Sequence, residues 1–167
     1  DEIIPALVDV GGGSGAGSLF MDDPNWPDKY NKVPMMADWG RSHLFMHQVS
    51  EDGASFKQTE EQFIKLAQIT DLDVDASGRL YMSAWDGAGF RGNPDKGFIV
   101  RATPENWKYK ASPNFKESSI DELANLLKSK SASIRLSAQQ ELLTRSENKA
   151  AAAAWKVASD SNLPLDS

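Results

Sequence analysis

The run Asp38-Trp39-Gly40-Arg41 sets a carboxylate three residues from a guanidinium. Two readings are open: a local ion pair that fixes a loop, or charged groups presented to an anionic ligand, and Asp38 and Arg41 are the cofactor-binding candidates. Asp71, Asp73 and Asp75 alternate, so on a strand they crowd one face and are the metal candidates. Asp73-x-Asp75-x-Ser77-Gly78 also copies the first half of a calcium loop. The twelfth position of that loop is Ala84 instead of a bidentate Glu, which favours a plain hairpin turning at Ala76-Ser77-Gly78. His43 and His47 are the only histidines. On a strand, residues four apart are about 13 Å apart, too far to share one ion. No Ser-His-Asp arrangement stands out, and with two histidines acid-base chemistry falls mostly to carboxylates. There is no Cys, which removes disulfides, thiolate catalysis, Cys-ligated metals and haem attachment through CxxCH in this chain.

Gly11-Gly12-Gly13-Ser14-Gly15-Ala16 satisfies a loose dinucleotide fingerprint, but that fold needs a helix next, and Ser18 to Trp26 with Pro24 and Pro27 offers none. A turn leading into a sheet is expected. The elements that must position all these residues change character along the chain. All 12 Gly lie at or before Gly97. The first part mixes turn clusters with short apolar or alternating runs at Ile3 to Val10, Lys32 to Ala37, His43 to Val49, Ile69 to Val74, Arg79 to Ala84 and Phe98 to Ala102, which reads as antiparallel β. From Ser118 the apolar residues recur at helical spacing: Ile120, Leu123, Leu126, Leu127, then Ile134, Leu136, Ala138, Leu142, Leu143, then Ala150 to Trp155 and Val157. Three short helices follow from it. Ser119 and Glu122 form a capping box for the first, and Ser131 or Ser133 can cap the second.

With 167 residues the chain is one domain or two small ones with a real core. Lys and Arg number 18 against 24 Asp and Glu, a net charge of -6, so no basic stripe awaits a nucleic acid. No apolar run reaches the length of about 18 residues that a membrane span needs. The N-terminus has neither a start Met nor a basic leader region, which fits a piece of a longer product.

An internal repeat organises the β part. Met36-Ala37-Asp38-Trp39 recurs as Met82-Ser83-Ala84-Trp85, each followed by a loop, an apolar strand and an acidic turn. A period of about 40 to 50 residues built from short strands is the signature of a β-propeller, whose blades stack radially. Two blades are expected here, and the remaining blades must come from a longer chain or a partner. Four of the five tryptophans, Trp26, Trp39, Trp85 and Trp107, then serve blade packing rather than sugar stacking. The helical pattern resembles one HEAT-type repeat, an ordinary helical hairpin being the alternative.

The segments Trp26-Pro27-Asp28-Lys29-Tyr30 to Arg41-Ser42-His43-Leu44-Phe45, Asp71-Leu72-Asp73-Val74-Asp75-Ala76-Ser77-Gly78-Arg79-Leu80-Tyr81, and Gly97-Phe98-Ile99-Val100-Arg101 resemble the closing blades of the soluble quinoprotein glucose/sorbosone dehydrogenases. The chain is more similar still to multidomain planctomycete relatives described as membrane-bound dehydrogenases, which carry HEAT-like repeats and then a cytochrome domain after the propeller. The resemblance covers roughly Gly15 to Arg145 and rests on blade motifs, which specify fold better than chemistry. It implies pyrroloquinoline quinone and calcium as cofactors, with haem c on another segment or chain. It also implies a lysine and adjacent arginine at Gly40 and Arg41, of which only Arg41 is present, and two quinone-clamping arginines where Gln68 and Thr70 stand. The base histidine and calcium ligands of that family belong to earlier blades.

The expectation is thus a mainly β chain with C-terminal α: propeller blades over residues 1–115, then HEAT-like helices over 116–167. As a function, the resemblance implies a segment of a periplasmic or cell-envelope quinoprotein-like sugar or alcohol dehydrogenase that passes electrons to a cytochrome domain. The alternative is a non-catalytic propeller and HEAT scaffold binding protein or glycan.

Overall fold

A computed structural model describes residues 6–87 and 94–163. The chain is mainly β: the described residues form seven strands in two antiparallel sheets followed by three helices. Strands β1 (Gly15–Met21), β2 (Val33–Asp38), β3 (His43–Asp52) and β4 (Ser55–Lys65) form one sheet in sequence order. Strands β5 (Ile69–Val74), β6 (Leu80–Trp85) and β7 (Gly97–Ala102) form the second, also in sequence order. Both are up-and-down meanders, and neither sheet closes on itself.

Five of the six expected strands are present, but the run from Ile3 to Val10 is not one of them: residues 6–10 are not in a strand, and Ile3 to Pro5 lie outside the described residues. The described part of this run pairs with no strand, and its backbone enters an Asx turn in which Gly11 N donates to Asp9 Oδ1. The glycine-rich stretch that follows leads directly into a strand, β1, and no helix receives a pyrophosphate there.

The chain divides into two compact units. In the first, which holds nearly all the strand residues, β6 and the first five residues of β2 bury alternate residues, whereas β3 buries Leu44, Phe45, Met46 and His47 in succession and so is covered on both faces there. Register pairs Met35 with Met46 and Ala37 with Leu44, and Met21 with Val33, so these residues share one face of the first sheet, all at most 6% exposed. In the second sheet Leu80, Met82 and Ala84 of β6 are buried while Tyr81, Ser83 and Trp85 between them are half-buried. The sheets touch at their first strands. A Cβ on Gly17 of β1 would sit 2.5 Å from the Asp71 Cα of β5, so only glycine permits this backbone approach.

The second unit gathers the helices with two short segments from between strands, Asp22–Trp26 and Val74–Arg79. Helices α1 (Ile120–Leu126), α2 (Ala132–Leu142) and α3 (Glu147–Ala158) bury Leu123, Ala138, Leu142 and Ala150 in one cluster edged by Phe115, Ile120, Leu126 and Leu127. The Ser119–Glu122 capping box is formed in full, whereas Ser131 occupies the N-cap of α2 without a side-chain cap bond. At that N-terminus Ala132 N donates to Asp22 O at 2.8 Å, Ser133 Oγ to Val74 O at 3.0 Å, and Arg135 pairs with the Asp22 carboxylate at 2.6 Å. The turn at residues 75–79 is held from two sides: the Trp26 indole donates to Gly78 O and the Trp107 indole to Ser77 O, both at 2.7 Å.

These bonds make the helical unit dependent on chain that precedes it. Residues 104–167 expressed alone are expected to show well under half the helicity that the same helices have in the whole chain, because short helices are marginal without tertiary partners. Far-UV circular dichroism of the fragment measures this, and full helicity with cooperative melting would refute it.

Candidate functional site

Asp38 ends β2 and is fully buried. Its Oδ1 accepts the backbone N–H groups of Ser14 and Arg41, each at 2.9 Å, and its Oδ2 accepts Arg41 Nε at 2.8 Å. Arg41 then reaches β4, where Nη1 and Nη2 contact the Glu60 carboxylate at 3.1 to 3.3 Å. Its guanidinium lies 3.9 Å from the Phe45 ring centroid. Burial pushes the Asp38 carboxyl up, but the two amides and the guanidinium outweigh that and hold it below the usual range. For Arg41, partial burial acts downward and the two carboxylates act upward, leaving the guanidinium above its ordinary value.

The two candidates are therefore together, as an ion pair extended to Glu60. This triad carries one more carboxylate than cation, so it offers an anionic quinone no net attraction. Gln68 and Thr70 are likewise engaged by other residues of the chain. Gln68 N donates to Ser42 Oγ at 3.3 Å and its Oε1 accepts Gly87 N at 3.1 Å, while the Thr70 hydroxyl meets Ser83 Oγ at 2.8 Å. As arranged, Arg41, Gln68 and Thr70 do not fit a tricarboxylate cofactor.

The structure distributes the acidic candidates differently. Asp71 and Asp73 are exposed on one side of β5, with Leu72 buried on the other, and Asp71 Oδ1 accepts Leu72 N. Asp75 belongs to the turn of the second unit: its Oδ1 accepts Ser77 N, Ser77 Oγ and Arg79 N, and its Oδ2 accepts Arg79 Nε at 2.7 Å. Burial raises the Asp75 carboxyl, yet these bonds leave it below the ordinary value. This is the hairpin turn that the sequence favours, with Gly78 at φ +79°. Among the described residues no group of three His, Cys, Asp or Glu side chains could hold a metal ion.

His43 and His47 both lie on β3, and their Nδ1 atoms contact different groups, Arg41 O at 2.7 Å and Gln58 Oε1 at 3.0 Å. Glu60 and Gly13 are the members of the site that sequence reasoning missed. Glu60 sits in a strand with little apolar pattern, and Gly13 gives no signal beyond its neighbours. A Cβ on Gly13 would stand 2.1 Å from Asp38 Oδ2 and 3.1 Å from Arg41 Nε.

The repeat also extends into backbone bonding. Trp39 N donates to Ser14 O, one residue before β1, and Trp85 N donates to Gln68 O, one residue before β5. Comparison of the chain with protein-family models, with curated proteins and with solved structures finds no match. Among the described residues no helix is long and apolar enough to cross a membrane.

Two outcomes check the network. Asp38→Asn is expected to cost about 3 kcal/mol at neutral pH, since it strips a buried carboxylate from a charged partner. The depressed folded pKa means that the wild-type advantage is complete above the carboxylate range and is lost as pH falls below about 4. Urea unfolding across pH should show the two proteins converging in acid and diverging above it. Gly13→Ala should destabilise by about 2 kcal/mol or more through its collision with the same carboxylate. A melting temperature unchanged by Gly13→Ala would contradict the geometry.

Proposed function

We propose that the chain contributes two consecutive β-propeller blades and a HEAT-like helical pair to a larger quinoprotein-like assembly of the cell envelope, a sugar or alcohol dehydrogenase linked to a cytochrome domain elsewhere. Its own share in that assembly is structural.

The single observation that carries the blade reading is which faces are buried. In the repeat Met35 matches Tyr81 and Met36 matches Met82. Met35 and Ala37 are buried in the first sheet, yet their counterparts Tyr81 and Ser83 are half-buried. Leu80 and Met82 are buried in the second, yet their counterparts Pro34 and Met36 are half-buried. The strands β2 and β6 thus bury opposite faces of one repeat. Stacking by rotation demands this, because the front of each blade meets the back of the next; a sandwich of two equivalent sheets would bury the same face twice. The faces left over carry Phe20 at 56% and Ile99 at 74% exposure, surfaces that further blades would cover.

The dehydrogenase reading rests on the resemblance of the blade motifs. The second reading, a non-catalytic propeller and helical scaffold for protein or glycan, is favoured by the engagement of Arg41, Gln68 and Thr70 within the fold. Both readings assign these residues a structural part, and the base and cofactor cations to other blades.

Titration of the 167-residue chain with pyrroloquinoline quinone and calcium, read by tryptophan fluorescence, should show no saturable quenching up to millimolar ligand, and no redox-dye reduction with sugar. Saturable quenching abolished by Arg41→Gln would overturn the structural assignment. Sedimentation with a hydrophobic dye tests the blades: association or dye binding is expected, and a compact monomer that binds no dye would sink that reading.

A further inference from the structure

The two meanders match strand for strand until the last. β1, β2 and β3 correspond to β5, β6 and β7, but β4 has no counterpart, and among the described residues β7 pairs with β6 alone. Little that proteins use to blunt a sheet edge is present on β7: it is short, with six residues, and carries one charge, Arg101, but has no proline and no bulge. Its apolar residues Phe98 and Ile99 are 38% and 74% exposed, against 0–1% for Leu44, Phe45 and Met46 of β3.

We propose that the outer edge of β7 is a docking site for one further antiparallel strand with the side-chain pattern of β4. The repeat specifies its chemistry. Met35 pairs with Met46 and its counterpart Tyr81 with Arg101, so Arg101 takes the place of Met46, and Ile99 that of Leu44. Across the first sheet, Glu61 lies opposite Met46 and Ile64 opposite Leu44. A strand of the β4 type therefore sets a carboxylate against the exposed guanidinium of Arg101 and a branched apolar side chain against Ile99. Cross-strand pairs of these two kinds are among those that stabilise antiparallel sheets, and the amides and carbonyls on the β7 edge away from β6, which pairs with no described strand, supply the main-chain bonds. The proposal rests on the blade repeat and is independent of any cofactor.

The probe is a synthetic peptide with the sequence of Ser55–Lys65, added to the intact chain and followed by hydrogen exchange. The peptide should slow exchange in β7 without slowing it in the helices. Arg101→Glu, a change at an exposed position, should weaken binding about five- to tenfold, and a peptide carrying Glu61→Lys should restore it on that variant. Ile99→Asp gives a second, uncharged-to-charged disruption, with circular dichroism confirming that either variant folds. The proposal is overturned by unchanged β7 exchange at millimolar peptide, by equal binding to Arg101→Glu, or by β7 being protected through self-association without peptide. Failure here leaves the dye and sedimentation results on blade stacking standing, so the two are separable.

Discussion

The buried carboxylate of Asp38 ties together three separate pieces of the first sheet. A fully buried charge is tolerated only when its oxygens are satisfied, and here three donors do so, from the residue before β1, from the loop after β2 and from a guanidinium. Each donor fixes a different piece of chain. Ser14 sets where β1 begins; the Arg41 amide closes the loop that leads into β3; the guanidinium carries the constraint to Glu60 on β4. Gly13 follows from it, since no side chain fits beside the carboxylate.

The second sheet solves the same problem without a charge. Ala84 stands where the first sheet has Asp38, so the loop after β6 cannot be pinned by a carboxylate. The carboxamide of Gln68 takes over, accepting Gly87 N, while the Gln68 carbonyl accepts Trp85 N as Ser14 O accepts Trp39 N. A neutral pin is weaker than a charge-assisted one. The repeat is thus legible in backbone bonding even where its side chains have diverged.

Much of the fold could be read from the sequence, for identifiable reasons. β2, β3, β5, β6 and β7 were legible as short apolar or alternating runs between turn clusters, whether covered on alternate positions like β6, on consecutive ones like β3 or hardly at all like β7, and the capping box at Ser119 and Glu122 marks α1 by local chemistry alone. β4 escaped because it is an exposed edge strand, Ser55–Lys65 with no buried residue, so nothing in its pattern separates it from a polar loop. β1 escaped because its glycines read as a turn, although Gly17 is required by the close approach of Asp71. The assignment of Asp22–Trp26 and Val74–Arg79 to the helical unit was illegible for another reason: it depends on carbonyls of Ser77 and Gly78 meeting indoles far away in sequence. Asp38 and Arg41 were legible as a pair, but their engagement with Glu60 was not, because β4 itself was not.

That engagement decides what Arg41 can do. To recruit its guanidinium, a ligand must displace one of two carboxylates, and the two are not equivalent. Displacing Asp38 would strand a fully buried charge, at a cost of several kcal/mol that no exposed contact repays. Displacing Glu60, which is about a quarter exposed and can turn to solvent, forfeits only the value of a surface pair, about 1 kcal/mol or less. An anion could therefore compete only for the Nη side of Arg41, facing β4, and never for its Nε side. Even then it would meet the Glu60 charge close by and the guanidinium still half-neutralised by Asp38. The geometry makes Arg41 a strut between strands first, and its remaining affinity for anions follows from how easily Glu60 lets go.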